Sequence, residues 1–349
     1  MAIAKEWKKK RRFRQSFAAM LQKILNRPLQ SPPWSGPCNS IIILAQEKYG
    51  DAILLTPLLK NLKRQFPETQ LHLVTFSKAT TAFFMHDPNL SGIHYAKSNP
   101  AIYIRNVLLK RFDLLFNTKD HPSTNFLVQS LIIRARCKAG IANAFHKGIY
   151  DYLVDIDYHS PVAIKNCGLL DILGKPADPG SCRPYIPVMP VTDEVKAFSE
   201  KTVNRQFIGL NISAGGPTRY WTEKNWKTLA DRFHHKRFIV LSTPADGLLK
   251  QALERDCPNI EPSPATGNIY EAGLLVRNLE LLVTPDTAMI HVASCSNTPV
   301  IGLYGAAPQD QSRFRPFLVE HRVLVSPSIL VKDIEPECVI DAIHEMLVH

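Results

Sequence analysis

Short apolar runs alternating with helical patterns, in two successive series, limit the possible folds of this chain more than any other feature. The first series has strand-like runs at Ile41–Ala45, Leu71–Phe76 and Phe112–Phe116, with helical patterns up to Phe66, at Thr80–Met85 and at Asn125–Arg136. Proline-rich punctuation at Pro176–Pro190 interrupts it, and the helix-like Thr192–Thr202 opens the second. There the runs Phe207–Ile212, Phe238–Ser242, Leu279–Thr284 and Val300–Tyr304 alternate with helical patterns at Lys224–Phe233, Leu248–Arg255 and Thr287–Ser294. Strands joined through helices pair in parallel, so the pattern predicts two open α/β sheets of the Rossmann-like kind. The expected division is a leader and linker over 1–37, an N-terminal domain over 38–190, and a C-terminal domain with a terminal helix over 191–349. Ligands of such sheets bind outside the carboxyl ends of the strands, which directs attention to a cleft between the two domains.

At 349 residues the chain has room for two such domains, and 45% apolar with 21% charged residues suits a folded globular protein. No apolar run reaches the roughly 18 residues of a spanning helix. The seven cysteines are scattered, odd in number and form no CxxC pair. That pattern excludes a disulfide framework and a zinc ribbon as organising devices, and free thiols indicate a cytoplasmic setting.

The formal charge of +11 is unevenly placed. Residues 1–28 hold nine Lys and Arg against the single acid Glu6, so eight of the eleven surplus charges lie in the leader. Phe13, Phe17, Met20, Leu21 and Ile24 recur at helical spacing, with Trp7 in front, which predicts a basic amphipathic helix. It lacks the apolar core and cleavage site of a signal peptide. A peripheral contact with an anionic membrane is the expected role, set against a merely solvated extension. Nucleic acid is excluded as a partner, because nothing downstream interleaves basic and aromatic residues as a stacking platform does.

Three segments carry chemistry. Glu47-Lys-Tyr-Gly-Asp-Ala-Ile-Leu-Leu-Thr-Pro57 follows the first strand; Gly50 suits a tight turn, and Asp51 is either a cap of the next helix or a catalytic carboxylate. Pro57 either kinks that helix, or Thr56 caps a later start with Pro57 in its first turn. Asn211-Ile-Ser-Ala-Gly-Gly-Pro-Thr-Arg-Tyr-Trp-Thr-Glu-Lys-Asn-Trp226 offers Ser213, the Gly215–Gly216 backbone and the Arg219 fork to phosphate oxygens, without the ending of a Walker loop. Val283-Thr-Pro-Asp-Thr-Ala-Met-Ile-His-Val-Ala293 runs from a strand into a helix whose N-terminus opens at Asp286 and Thr287, with His291 one turn on. Asp155-Ile-Asp157 matches a DxD metal motif, but two loop carboxylates alone make a poor magnesium site.

Together these segments, with Asn297-Thr-Pro-Val-Ile-Gly-Leu-Tyr-Gly305 and Tyr158–Gly174, resemble the lipopolysaccharide heptosyltransferase family, glycosyltransferase family 9, over roughly residues 40–345. The resemblance implies a GT-B fold, two Rossmann-like parallel-sheet domains facing a central cleft, and an ADP-heptose donor. It implies Asp51 as base, Arg219 on the diphosphate, and Asp286, Thr287, Ala288 and His291 around the donor. It also implies an anionic lipopolysaccharide-core acceptor and a site on the cytoplasmic face of a Gram-negative inner membrane. Ala288 stands where the family usually has Gly, and Arg219 where several members have Lys.

The expected reaction is one inverting displacement at the anomeric carbon, with no metal and no cofactor beyond the ADP-sugar. Acceptor-binding residues cannot be assigned from the sequence. A family-9 transferase with another sugar or acceptor, a nucleotide-sugar epimerase and a non-catalytic sugar-nucleotide binding protein are the alternatives.

Overall fold

The computed structural model describes residues 2–203 and 207–347, with side chains described from Lys9 onward except Gln309. The chain divides into two compact units, Met1–Cys182 and Arg183–His349. The first holds β1 (Ser40–Leu44), β2 (Gln70–Thr75), β3 (Gly92–Tyr95), β4 (Arg111–Asn117), β5 (Arg134–Ile141) and β6 (Tyr152–Val154). The second holds β7 (Phe207–Asn211), β8 (Arg237–Leu241), β9 (Ile260–Glu261), β10 (Leu281–Pro285), β11 (Val300–Tyr304) and β12 (His321–Val325). All pairings are parallel, in the orders β3-β2-β1-β4-β5-β6 and β12-β11-β10-β7-β8-β9. Counted within its own unit, each sheet has the 3-2-1-4-5-6 order of a doubly wound dinucleotide-type fold. The winding reverses between β1 and β4 in the first unit, and between β7 and β10 in the second.

The central strands are apolar on both faces because helices cover both, so Ile41, Ile42, Ile43 and Leu44 are all buried. The Asp113 carboxylate secures the entry to β1, accepting the N–H groups of Asn39 at 2.9 Å and Ser40 at 3.1 Å. In the second unit Trp221 and Trp226 meet edge to face at 4.7 Å in the core. The Trp221 indole N–H donates to the Ile334 carbonyl at 2.8 Å. These two side chains therefore anchor the loop that precedes them.

Three expectations need correction. The helix predicted over Asn125–Arg136 ends at Ile132, and β5 starts at Arg134, because the chain turns extended at Ile133 and pairs with β4 from Arg111 onward. The boundary between units lies at 182/183 rather than 190/191. Arg183 donates to the Ser294 carbonyl at 3.0 Å and to Asn297 Oδ1 at 3.2 Å, and the Thr192 N–H to Glu271 Oε1 at 2.7 Å, which binds this stretch to the second unit.

The third concerns the leader, which is part of the first unit. Helix α1 (Ala2–Leu25) buries Ala18 and Leu21 in its core, with Phe17 and Leu25 packed alongside. Gln22 Nε2 donates to the carbonyls of Ala144 at 3.0 Å and Lys147 at 2.8 Å, and Arg27 pairs with Asp151 at 2.9 Å. The expected apolar face thus splits: Leu21 turns inward, while Phe13, Met20 and Ile24 remain exposed. The side chain of Trp7 lies outside the described residues. Leu21→Ala is expected to cost about 2–3 kcal/mol, as buried leucine truncations do. It should also open α1 to limited proteolysis at Arg12–Lys23; unchanged melting and cleavage would refute the docking.

Candidate active site

In the first unit the chain leaves β1 through Gln46–Lys48 and enters α2 (Tyr49–Ile53), with Asp51 in its first turn. A separate helix, α3 (Thr56–Gln65), then starts with Pro57 in its first turn, the second of the two readings of that proline. Leu55 is the residue before it, and the Thr56 hydroxyl donates back to the Ile53 carbonyl at 2.8 Å, so Thr56 is not the cap. The capping role weighed for Asp51 is also absent. No side chain caps α2, and among the described residues no hydrogen bond or ion pair engages the Asp51 carboxylate. Burial raises its pKa above the ordinary carboxylate value, while the Lys119 and Lys48 charges pull it back.

Lys119 was not singled out from the sequence. It follows β4, across the point where the winding reverses, and its Nζ donates to Gln46 Oε1 at 2.9 Å and lies 3.6 Å from Glu47. Gln46 Nε2 donates to the Thr118 carbonyl at 3.2 Å, and the Thr118 hydroxyl to the Leu44 carbonyl at 2.7 Å. The loops after β1 and β4 are therefore bound to each other around Asp51. A charged residue just past a predicted strand end was the available signal.

In the second unit the residues of the two donor motifs converge beyond β7 and β10. Asn211 Nδ2 donates to Thr284 Oγ1 at 2.8 Å, to Thr287 Oγ1 at 3.2 Å and to the Ser213 carbonyl at 3.2 Å. Thr287 caps the helix Ala288–Ser296, accepting the Met289 N–H at 3.2 Å. Ala288 is the first residue of that helix, so the amide-rich end opens where Gly was the usual family residue. Arg219 reaches Asp286 with Nη1, 2.9 Å to Oδ2 and 3.0 Å to the main-chain carbonyl, and Asp310 Oδ2 with Nη2 at 3.4 Å. The guanidinium is thus preset between two carboxylates at the mouth of the same loop.

Two donor residues differ from expectation. The Ser213 hydroxyl is only 4% exposed and fully committed, accepting the Thr243 N–H at 2.8 Å and donating to Asp246 Oδ2 at 2.5 Å. What the loop offers a ligand is main chain. A Cβ at Gly215 or Gly216 would meet nothing within 4 Å, and neither residue lies in the left-handed φ region, so the space beside them is open. His291 is 3% exposed, its Nδ1 lacks a partner, and burial lowers its pKa to about 4. Its ring is uncharged and buried on the helix. Asp246 and Asp310, which brace Ser213 and Arg219, were not foreseen; Asp246 ends the short helical turn Pro244–Asp246, and Asp310 lies in the first turn of the helix Pro308–Arg313.

The DxD carboxylates lie in the loop after β6, where Asp157 Oδ2 accepts the His159 N–H at 2.8 Å. Among the described residues no group of three His, Cys, Asp or Glu has the placement to hold a metal ion.

The buried His291 carries a pH signature. Unfolded, its ring binds a proton near pH 6.5; folded, only near 4, so stability falls as the pH drops through that window. The melting temperature of His291→Leu is therefore expected to fall less between pH 6.5 and 4 than that of the parent. Parallel pH curves would contradict the assignment.

Comparison with known proteins matches this geometry to a family. The model of glycosyltransferase family 9 (heptosyltransferase) matches residues 103–344, which contain both donor motifs but not Asp51. Lipopolysaccharide heptosyltransferase 3 of Escherichia coli is 21% identical over 288 residues, 77% of this chain and 84% of that protein. The crystal structure of the glycosyl transferase family 9 from Veillonella parvula DSM 2008 superposes with a TM-score of 0.70 at 18% identity, covering 91% of this chain and 99% of that one. The E. coli heptosyltransferase WaaC with ADP gives 0.65 at 13% identity, covering 88% and 99%. At these identities the structural likeness is one of fold, the GT-B fold. The family match spans more than half of the chain, and with it the doubly wound units and the donor loop have one consistent reading: the chain belongs to glycosyltransferase family 9, the heptosyltransferases, and is a glycosyltransferase.

Proposed function

We propose that the chain moves a heptose from ADP-heptose to the inner core of lipopolysaccharide, with inversion and without a metal. The observation that carries the reading is the Asp51 carboxylate, half-buried at the switch point of the first unit and spent on no cap or ion pair. A raised pKa brings a carboxylate closer to the working pH of a general base. Asp51 takes the proton of the acceptor hydroxyl as its oxygen attacks the anomeric carbon, and the bond to the diphosphate breaks on the opposite face. The leaving diphosphate gains charge, stabilised by Arg219, the Ala214–Gly216 amides and the helix N-terminus at Thr287–Ala288. A structural relative crystallised with ADP, and the same E. coli enzyme with ADP-2-deoxy-2-fluoro heptose, support the choice of donor.

The test is mass-spectrometric turnover of ADP-heptose with and without deacylated core oligosaccharide, in EDTA. The acceptor is expected to gain one heptose. Donor consumed without acceptor would move the reading to an epimerase, and binding without product to a sugar-nucleotide binding protein. Asp51→Asn should keep ADP affinity and lose turnover by about 100-fold or more. The acid limb of kcat/KM in the parent should lie above the usual carboxylate range, since Asp51 must be ionised to act. Near-parental turnover by Asp51→Asn would remove its role.

No helix among the described residues is long and apolar enough to cross a membrane. The proposed location is peripheral, on the cytoplasmic face of the inner membrane. The exposed stripe Phe13, Met20 and Ile24, flanked by the exposed Arg12 and Lys23, gives α1 a face for anionic lipid. Phe13→Asp/Ile24→Asp should abolish sedimentation with phosphatidylglycerol vesicles; undiminished sedimentation would dispose of that contact.

A further inference from the structure

A second face of α1 builds a site of its own. A cavity of about 810 Å³ within the first unit is lined by Lys10, Arg11 and Arg14 of α1 on one side. Asp120 and His121 from the loop after β4, Phe145 from the loop after β5, and Tyr158 form much of the rest. On a helix of 3.6 residues per turn, Lys10, Arg11 and Arg14 continue toward the N-terminus the face that Ala18, Leu21 and Gln22 dock. Arg11 and Arg14 lie more than about a quarter turn from the Phe13–Met20–Ile24 stripe, and Lys10 about a sixth of a turn. The hydrogen bonds from Gln22 to Ala144 and Lys147 fix the helix against the very loop that forms the cavity wall.

The charge balance of this cavity favours an anion. Among the described residues no carboxylate pairs with Arg11 or Arg14, and both are exposed. The one acid in the wall, Asp120, has partners of its own: His121 Nδ1 at 3.2 Å and the buried ammonium of Lys165 at 3.8 Å. Phe145 and Tyr158 add flat apolar surface of the kind that sugar rings pack on. Asp120 in the wall and its neighbour Lys119 are also among the charges felt at Asp51.

We propose that α1 completes an acceptor subsite, in which Arg11 and Arg14, with Lys10, bind a phosphate carried by the acceptor saccharide. The site rests on the reading of the first unit as the acceptor side. It assigns to residues ahead of the family-matched segment 103–344 a recognition role distinct from membrane attachment. Two guanidinium forks suit a phosphate better than lysines alone, since each makes paired hydrogen bonds in a fixed geometry.

The test titrates full-length protein calorimetrically with deacylated core oligosaccharide bearing its phosphates, and with the same oligosaccharide after dephosphorylation. Arg11→Glu/Arg14→Glu is expected to bind the phosphorylated probe about 100-fold more weakly, at roughly tenfold per charge-assisted contact. It should bind the dephosphorylated probe as the parent does, while Arg11→Lys/Arg14→Lys retains most of the affinity. ADP affinity and melting temperature, read on the same samples, report folding. Should the reversal fail to fold, Arg11→Gln/Arg14→Gln carries the same comparison.

An unchanged affinity for the phosphorylated probe, or an equal loss for both probes, overturns the site. So does a variant that loses only phosphatidylglycerol vesicles, since the arginines would then serve lipid headgroups. A parent that binds the phosphorylated probe through these arginines yet transfers no heptose supports the site and overturns the proposed reaction instead.

Discussion

The Asn211 carboxamide lies where the second sheet reverses its winding, and its contacts to Thr284, Thr287 and the Ser213 carbonyl join the ends of β7 and β10. These are buried polar groups, so each needs its partner; losing one leaves a desolvated donor or acceptor, which costs more than the bond itself contributes. Through that clamp the small-residue loop and the capped start of the helix Ala288–Ser296 keep a constant relation to each other. The first unit solves the same problem with Gln46, Thr118 and Lys119 across β1 and β4. In both units the side chains available for chemistry project from the seam so formed.

At each seam, polar groups are either bound in place or left uncommitted, and the difference separates scaffold from chemistry. Ser213 and Asp246 satisfy one another, and Asp286 with Asp310 orients Arg219. Asp51 stands apart, because its half-buried carboxylate makes no hydrogen bond or ion pair among the described residues. Burial without compensation is what raises a carboxylate's pKa, and a protein retains such a group at a cost in stability. In the proposed displacement Asp51 takes the acceptor proton and Arg219 receives the charge of the leaving diphosphate.

The first 28 residues show how much one helix can combine. A basic amphipathic pattern is compatible with a solvated arm, a lipid contact or a docked element, and periodicity alone does not choose among them. The docked face rests on Ala18, Leu21 and Gln22, and its partner is a loop more than a hundred positions away. That leaves an exposed apolar face and, continuing the docked face toward the N-terminus, a cationic stretch, each with a different neighbourhood.

The alternation of apolar runs and helical patterns, the order of the motifs and the charge of the leader are local properties, and they were legible. Periodicity of 2 or 3.6 is written into adjacent residues, so both parallel sheets and the strand ends carrying Asp51, Asn211 and Asp286 could be placed within a residue or two. Strands such as β3, β6, β9 and β12 were not, because β6 and β9 have only three and two residues and β3 and β12 carry no buried apolar run. Whether Asp51 is a cap, whether Ser213 faces a ligand, and whether His291 is charged depend on what each side chain meets across the fold. The Ser213–Asp246 and Arg219–Asp286 contacts join residues 33 and 67 positions apart. By itself the sequence determined the architecture and the family; only the tertiary structure decided which polar groups are spent on holding it, because burial and pairing are relations in space that no local pattern encodes.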